Sequence, residues 1–159
     1  KCKKALEAKN RLLRCFKKKY RFFNLFIADN NNAYWIKYDN YKIETLAVPY
    51  GYSIIDNLNL NDEESLRQSL NKSFFHKAKY PEPEKNEFTD WKRLLTLKKQ
   101  SMDEKQASIY VNNKYNNYGT VCSSIIGLPN SKLNNKGIFW LYRNSLSNRP
   151  SYKKLKLFS

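Results

Sequence analysis

Runs of apolar side chains separated by polar turns define the strand candidates of this chain. The strongest run covers residues 22–28 (FFNLFIA) and ends before the polar loop 30–32, which is typical of a strand followed by a turn. Apolar and polar side chains alternate over residues 41–48, so this segment is predicted as the partner strand. Residues 34–38 fit either a short strand or part of a hairpin loop between the two.

Capping residues place two helices in the middle of the chain. Asn61 is the predicted N-cap of the first helix, and Glu64 completes a capping box. The second helix is predicted to begin at a Thr89 cap and to run to about Lys99. Two prolines mark residues 77–86 as the loop between the helices.

These elements predict an α+β fold, in which a small, mainly antiparallel sheet of about four strands packs against two helices. The remaining strand candidates are residues 109–111 and 137–142. The domain is assigned to residues 11–98, with a basic N-terminal extension at 1–10 and a basic C-terminal extension at 99–159. The tail from Ser145 is expected to be irregular, and residues 149–159 are expected to become ordered only on RNA. The apolar run 138–142 is expected to dock on a neighbouring protein.

The charge of the chain indicates what kind of partner it binds. It has 30 Lys and Arg against 14 Asp and Glu, a net charge of +16. Residues 1–21 carry ten cations and one acid, and residues 105–159 carry nine cations and no acid. This distribution favours a polyanionic partner. No apolar run approaches the roughly 20 residues that cross a bilayer, so nucleic acid is favoured over a membrane.

The densest group of cations lies directly before the first predicted strand. Six cationic side chains fall within residues 11–21, where a packed strand would hold them in place for phosphate oxygens. Two further cationic groups adjoin the second strand and the C-terminus. The predicted RNA-binding residues are Arg11, Arg14, Lys17, Lys18, Lys19, Arg21, Tyr41, Lys42, Arg149, Lys153, Lys154 and Lys156.

The aromatic side chains divide into two predicted groups. The residues on predicted buried faces are assigned to the core: Phe22, Phe23, Phe26 and Trp91. The residues beside the loop and the cations are candidates for stacking on unpaired bases: Tyr20, Tyr34, Trp35 and Tyr41.

Catalysis, metals and cofactors find little support in the sequence. His76 is the one histidine, and no Walker loop or H-E-x-x-H motif occurs. Cys2, Cys15 and Cys122 are widely spaced without a C-x-x-C pair, which predicts no disulfide framework and fits a reducing compartment. The chain is therefore predicted to be a non-enzyme with no cofactor, no metal, no membrane partner and no small-molecule substrate.

Four blocks in order resemble the bacterial-type small-subunit ribosomal protein sixteen family. They lie at residues 11–29, 39–46, 58–73 and 88–95, and the first includes the family's opening strand motif R-L-x-R. The positions that match in the first two blocks are Arg11, Leu12, Arg14, Phe22, Phe23, Ile27, Ala28, Asp29, Asp39, Ile43, Glu44 and Leu46. The family's D-G-R is Asp39-Asn40-Tyr41 here. The glycine that is missing suits a tight turn, and its loss fits the loop before Asp39, which is longer than the family's.

The resemblance implies a structural constituent of the small ribosomal subunit that binds and stabilises its rRNA beside neighbouring small-subunit proteins. The divergence and the extensions imply an organellar member, in the mitochondrial matrix, with a plastid as the lesser option. The basic N-terminal segment has apolar residues at near-helical spacing, a pattern shared by transit peptides and RNA-binding helices. Some mitochondrial relatives have a loop cysteine that helps to hold an iron–sulfur cluster together with a neighbouring protein. The aligned position here is Lys17, so Cys15 could bind such a cluster only together with ligands from a partner.

Two alternatives to the ribosomal hypothesis stay open. One is a nucleic-acid-binding module outside the ribosome. The other is a non-catalytic accessory subunit of a mitochondrial membrane complex, attached through its basic face to anionic lipid or acidic subunits.

Overall fold

A computed structural model describes residues 2–17, 20–98, 107–113, 118–129 and 137–156. These residues form two compact units, the first ending at Asp62 and the second beginning at Glu63. The protein is α+β, as predicted. Its longer strands form two antiparallel sheets of three strands each, one per unit, where about four strands in one sheet were expected. The division between the units falls inside the segment 11–98 that was assigned to one domain.

The first unit contains a meander of three strands, β1 (Phe23–Ala28), β2 (Ala33–Tyr38) and β3 (Ile43–Ala47). β2 is central and pairs with both neighbours. The prediction that residues 41–48 pair with residues 22–28 is therefore wrong, because the segment between them forms a strand and not a loop.

Burial explains why β2 takes the centre of this sheet. Its Trp35 and Ile36 point to opposite faces, and both are buried, with Trp35 only 1% exposed. The Trp35 Nε1–H donates to Asn24 Oδ1 at 2.9 Å, and the Asn24 amide donates in turn to the Asp56 carbonyl at 2.9 Å. The segment after β3 is thus tied to the face on which Trp35 lies, so Trp35 is a core residue.

The burial of β1 differs from the prediction, because β1 is an edge strand of the sheet. Phe22 precedes the strand and is 72% exposed, and Phe26 is 54% exposed. Both had been assigned to the core. Phe23, Leu25 and Ile27 alternate with them and are half-buried, so the apolar side chains that β1 covers lie on one face.

The helix α1 (Ala5–Cys15) packs on that face of the sheet. Its inward side chains recur with the spacing of one helix face: Ala5, Ala8, Lys9, Leu12 and Leu13, followed by Phe16 at the C-cap. Arg11 and Arg14 lie on the exposed side. The resemblance placed residues 11–14 in an opening strand, which is wrong because the apolar period here is helical. The expected boundary between residues 10 and 11 lies inside α1.

Asp29, which lies in the β1–β2 turn, fixes the start of α1. Its Oδ2 accepts from the Ala5 N–H at 2.7 Å, and its Oδ1 accepts from the Asn31 and Asn32 N–H groups at 2.7 and 2.8 Å. Ala5 is the first residue of the helix, where backbone donors have no partner within the helix. These hydrogen bonds, that from Ala5 first, lower the pKa of Asp29 below its ordinary 3.8. One carboxylate therefore closes the β1–β2 turn and anchors the helix.

Removing this carboxylate should loosen α1. Asp29→Ala is expected to cost about 1 kcal/mol, typical of a lost helix cap, and to speed amide hydrogen exchange along α1. Because the pKa of folded Asp29 is lowered, its stabilisation is complete above the unfolded pKa and is lost as pH falls through the folded value. Asp29→Asn is the matched control, and the difference between it and the native chain should shrink below about pH 4. If the native chain and Asp29→Ala had equal amide exchange rates along α1 at every pH, the anchoring role would be contradicted.

The β2–β3 turn is tight although it lacks the family's glycine, since Tyr38 pairs with Ile43. Asn40 adopts a left-handed conformation with φ of 75°, which asparagine tolerates better than most residues. The Asp39 carboxylate accepts from the Tyr41 and Lys42 N–H groups at 3.0 and 2.9 Å. These hydrogen bonds, that from Lys42 first, lower the pKa of Asp39.

The second unit begins with the helix α2 (Leu66–Lys77), which starts five residues after the predicted Asn61 cap. Ser65 is the N-cap, and its side chain accepts from the Gln68 N–H. Asn61 instead has a φ of 54° and accepts from the Ile54 N–H at 2.9 Å. The prediction of Asn61 as a helix cap is therefore wrong, because its side chain closes a loop of the first unit.

The core of the second unit joins a short helix to a C-terminal sheet. The helix α3 (Thr89–Leu94) follows a 3₁₀ turn at Pro83–Lys85, with Phe88 in place of Thr89 at its N-cap. The helix ends at Leu94, and the described residues 95–98 are not helical, so the prediction that it runs to about Lys99 is wrong. Phe88 stacks on Phe139 with ring centroids 4.6 Å apart, and Trp91 packs against this core as predicted.

The sheet of the second unit consists of β6 (Cys122–Gly127), β7 (Phe139–Asn144) and β8 (Tyr152–Lys154), with β7 in the centre. A short pair, β4 (Asn112–Asn113) and β5 (Tyr118–Gly119), precedes it. The region expected as an extension thus supplies a folded sheet and much of a core, and its apolar run packs within the unit. The tail from Ser145 also contains a paired strand, so the prediction that it is irregular is wrong for β8.

Candidate nucleic-acid interface

The direction of α1 decides which residues of the first unit lie together. Asp29 holds the start of α1 at the β1–β2 turn. Phe16, just beyond its last residue, contacts Phe23 and Tyr38 at the opposite end of the sheet, with ring centroids 6.2 and 4.7 Å away. Phe23 pairs with Tyr38, and Tyr38 with Ile43. The end of α1, the start of β1 and the β2–β3 turn therefore meet at one end of the unit, which we call the cationic end.

Six of the predicted RNA-binding residues lie on these three segments, and all six are exposed: Arg11, Arg14, Lys17, Arg21, Tyr41 and Lys42. Residues that are separated in sequence are therefore brought to one end of the fold. Lys18 and Lys19 lie outside the described residues.

The cations at this end differ in how far their charge is already compensated. Lys42 forms an ion pair with Glu44, whose hydrogen bond and charge raise the pKa of Lys42. Within the described part of the chain, Arg11, Arg14, Lys17 and Arg21 form no ion pair. Guanidinium groups can bond two phosphate oxygens at once. The three arginines and Lys17 are thus the groups with charge available for a polyanion.

An aromatic cluster lies directly beside these cations. Tyr20 stacks on Phe16 with centroids 5.8 Å apart and planes inclined by 30°, and Phe23 and Tyr38 are 5.9 Å apart. An open groove of about 510 Å³ runs along the cluster and α1. Its lining residues are Ala8, Arg11, Leu12, Cys15, Phe16, Tyr20 and Phe23.

The structure separates the predicted base-stacking candidates. Tyr20 and Tyr41 are 61% and 84% exposed, so both rings are accessible. Tyr34 is half-buried, with the Lys9 ammonium 4.8 Å from its ring centroid. Trp35 is buried, and the prediction that it could stack on a base is wrong because it lies on the central strand.

A second group of predicted cations belongs to the second unit. Arg149, Lys153, Lys154 and Lys156 are all exposed. Lys153 and Lys154 lie on the edge strand β8, where the Lys154 ammonium sits 5.2 Å from the Phe139 ring centroid. Charged residues on an edge strand also discourage pairing with another chain, so these lysines have a structural role as well.

Other chemistry in the described residues is sparse. They contain no group of three His, Cys, Asp or Glu side chains placed to hold a metal. None of the helices they form has the length and apolar character needed to cross a membrane. His76 is exposed in the last turn of α2, and Cys2, Cys15 and Cys122 are free thiols.

Sequence reasoning missed that Phe16 and Phe23 lie at this site, and that Asp29 holds the other end of α1. Phe16 and Phe23 line the groove, whereas Phe23 had been assigned to the core alone. The spacing of Leu12 and Phe16 on one helix face was the available signal. No local pattern could show Asp29 bonding to Ala5 across 24 positions.

The chain was compared with protein-family models, with curated proteins and with solved structures. None of the three comparisons gave a match.

Proposed function

We propose that this protein binds RNA through the cationic end of its first unit and performs no chemistry of its own. The observation that carries the proposal is the convergence of Arg11, Arg14, Lys17 and Arg21 on one end of a packed fold, exposed and without ion pairs among the described residues. The phosphate groups of RNA attract such cations whatever the base sequence of the RNA.

The C-terminal end of α1 carries negative charge of its own, which some of these cations must balance. Helix C-termini carry a partial negative charge, which basic residues in the last turn offset. Arg14 is in the last turn of α1, and Asp39, whose pKa is lowered, adds a negative charge nearby. Four available cations exceed this local negative charge, so a net positive surface remains for phosphate.

We further propose that the RNA is small-subunit rRNA of an organellar ribosome, in the mitochondrial matrix, with neighbouring small-subunit proteins as partners. This part rests on the resemblance of the four sequence blocks to ribosomal protein sixteen. The net charge of +16 supports attraction to a polyanion such as rRNA.

The salt dependence of binding tests the electrostatic part. The full chain is titrated into a fluorescently labelled RNA hairpin between about 50 and 200 mM salt. If four to six phosphates are neutralised, log affinity should fall with log salt at a slope of about −3 to −5. A slope near zero would rule out phosphate binding as the basis of the interaction.

Sedimentation tests the ribosomal setting. The protein, expressed in the organism that encodes it, should travel with small ribosomal subunits in a sucrose gradient and leave them at high salt. Travel with detergent-solubilised membrane complexes would favour the accessory-subunit alternative. Travel with other RNA would favour a binding module outside the ribosome.

A further inference from the structure

We propose that the aromatic groove at the cationic end holds an unpaired nucleobase stacked on Tyr20. The site would then select single-stranded or looped RNA over uninterrupted duplex. This inference rests on the proposed function and names the class of RNA that the site takes.

The first argument is that Tyr20 rests on packed aromatic side chains. Its ring stacks on Phe16, which is itself held by Tyr38 at 4.7 Å and Phe23 at 6.2 Å. Tyr38 is buried on the central strand. The ring of Tyr20 nevertheless stays 61% exposed, so it presents area on which a base can stack.

The second argument is the size of the groove. Its volume of about 510 Å³ lies within the roughly 300–1,000 Å³ of sites that hold small organic molecules. Leu12, Phe16 and Phe23 line it with apolar surface, which suits the face and edge of a heterocycle. A purine or a pyrimidine therefore has room beside Tyr20.

The third argument is the position of the charges around the groove. Arg11 lines it, and Arg14 lies three residues further along the exposed side of α1. A base on Tyr20 would bring its own phosphates to these cations. In a duplex the bases are stacked and paired, and side chains mostly reach phosphates and 2′-hydroxyls. An aromatic groove with a cationic rim thus fits an unpaired nucleotide better than a helix or an apolar peptide.

Three probes separate stacking from charge. The full chain is titrated with a labelled single-stranded RNA of about twelve nucleotides, with a duplex RNA of the same length, and with inorganic polyphosphate, which carries charge but no bases. Tyr20→Ala should weaken binding of the single strand by roughly fivefold to a hundredfold, the effect of one lost base–aromatic stack. Binding of duplex and of polyphosphate should be unchanged.

Two variants control for the loss of a tyrosine. Tyr20→Phe retains the ring and should bind the single strand as the native chain does. Tyr50 is fully exposed and lines a separate pocket with residues of the β1–β2 turn, so Tyr50→Ala should have no effect. Equal binding of the single strand by Tyr20→Ala and the native chain would overturn the proposal.

Alkylation of Cys15 gives an independent test without substitution. Cys15 is exposed and lines the groove, and Cys122 is an exposed thiol of the second unit that serves as the internal reference. Bound single-stranded RNA should slow the reaction of Cys15 with iodoacetamide relative to Cys122, and bound polyphosphate should slow it less. Equal protection by the two probes would contradict a base in the groove. Absence of binding to all three probes would instead reject the proposed function.

Discussion

Alanine at Arg11, Arg14 and Arg21 together should reduce RNA affinity about a hundredfold at physiological salt. A hydrogen-bonded phosphate contact contributes about 1 kcal/mol net, and each 1.4 kcal/mol corresponds to about tenfold in affinity. The salt slope should also become less steep by about two to three units, close to one unit for each lost contact.

The folded state should survive this substitution. All three arginines are exposed and form no ion pair among the described residues, so the circular dichroism spectrum should stay the same. The unfolding midpoint should fall only slightly, by the contribution that Arg14 makes in the last turn of α1. Fluorescence anisotropy with a labelled RNA hairpin measures the affinity.

The matched control removes the same number of charges from the second unit. Lys72, Lys77 and Arg93 are exposed, and Arg93 has only a distant partner, Asp90, at 4.0 Å. Their replacement by alanine leaves the same net charge as the test variant. If this control loses as much affinity as the arginine triple, binding depends on total charge and the cationic end is not the site.

Phe139→Ala should destabilise the second unit by about 3–5 kcal/mol, the usual cost of removing a phenyl ring from a core. Phe139 is buried and stacks on Phe88, so truncation removes both the burial and the ring contact. That loss is a large fraction of the stability of a small domain.

Hydrogen exchange followed peptide by peptide measures the effect in each unit. Amides of β6 and β7 should exchange much faster in Phe139→Ala, and amides of β1 and β2 should keep their native rates. Leu146→Ala is the control, since Leu146 is 73% exposed and its loss should change little. Native exchange rates in β6 and β7 of Phe139→Ala would show that the C-terminal sheet does not depend on this core.

The sequence predicted the fold class and the positions of β1, β3 and β7, because these strands coincide with apolar runs, but it did not predict β6 or β8. It failed where two local signals competed. Asn61 and Ser65 are both good helix caps, and the choice depended on Ile54, a distant backbone donor that Asn61 satisfies. For α1, the spacing of Ala5, Leu12 and Phe16 indicated a helix, whereas the resemblance aligned residues 11–14 with a strand.

The candidate site was predicted as a set of cations and not as a surface. Charge density alone identified Arg11, Arg14, Lys17 and Arg21. Their meeting with Tyr41 required the register of β2 with both neighbours, which brings the two turns to opposite ends of the sheet. The hydrophobic pattern along a strand fixes which face is buried, but it does not reveal which strands are neighbours.

The bond from Ala5 to Asp29 has a consequence for the order of folding. A helix of eleven residues is marginally stable on its own in water, so α1 depends on an anchor that lies 24 positions later in the chain. During synthesis the arginines of α1 therefore leave the ribosome before the β1–β2 turn, which will fix their position. The interface matures only when the β1–β2 hairpin closes, and a chain that stalls before that point presents mobile charge and no organised site.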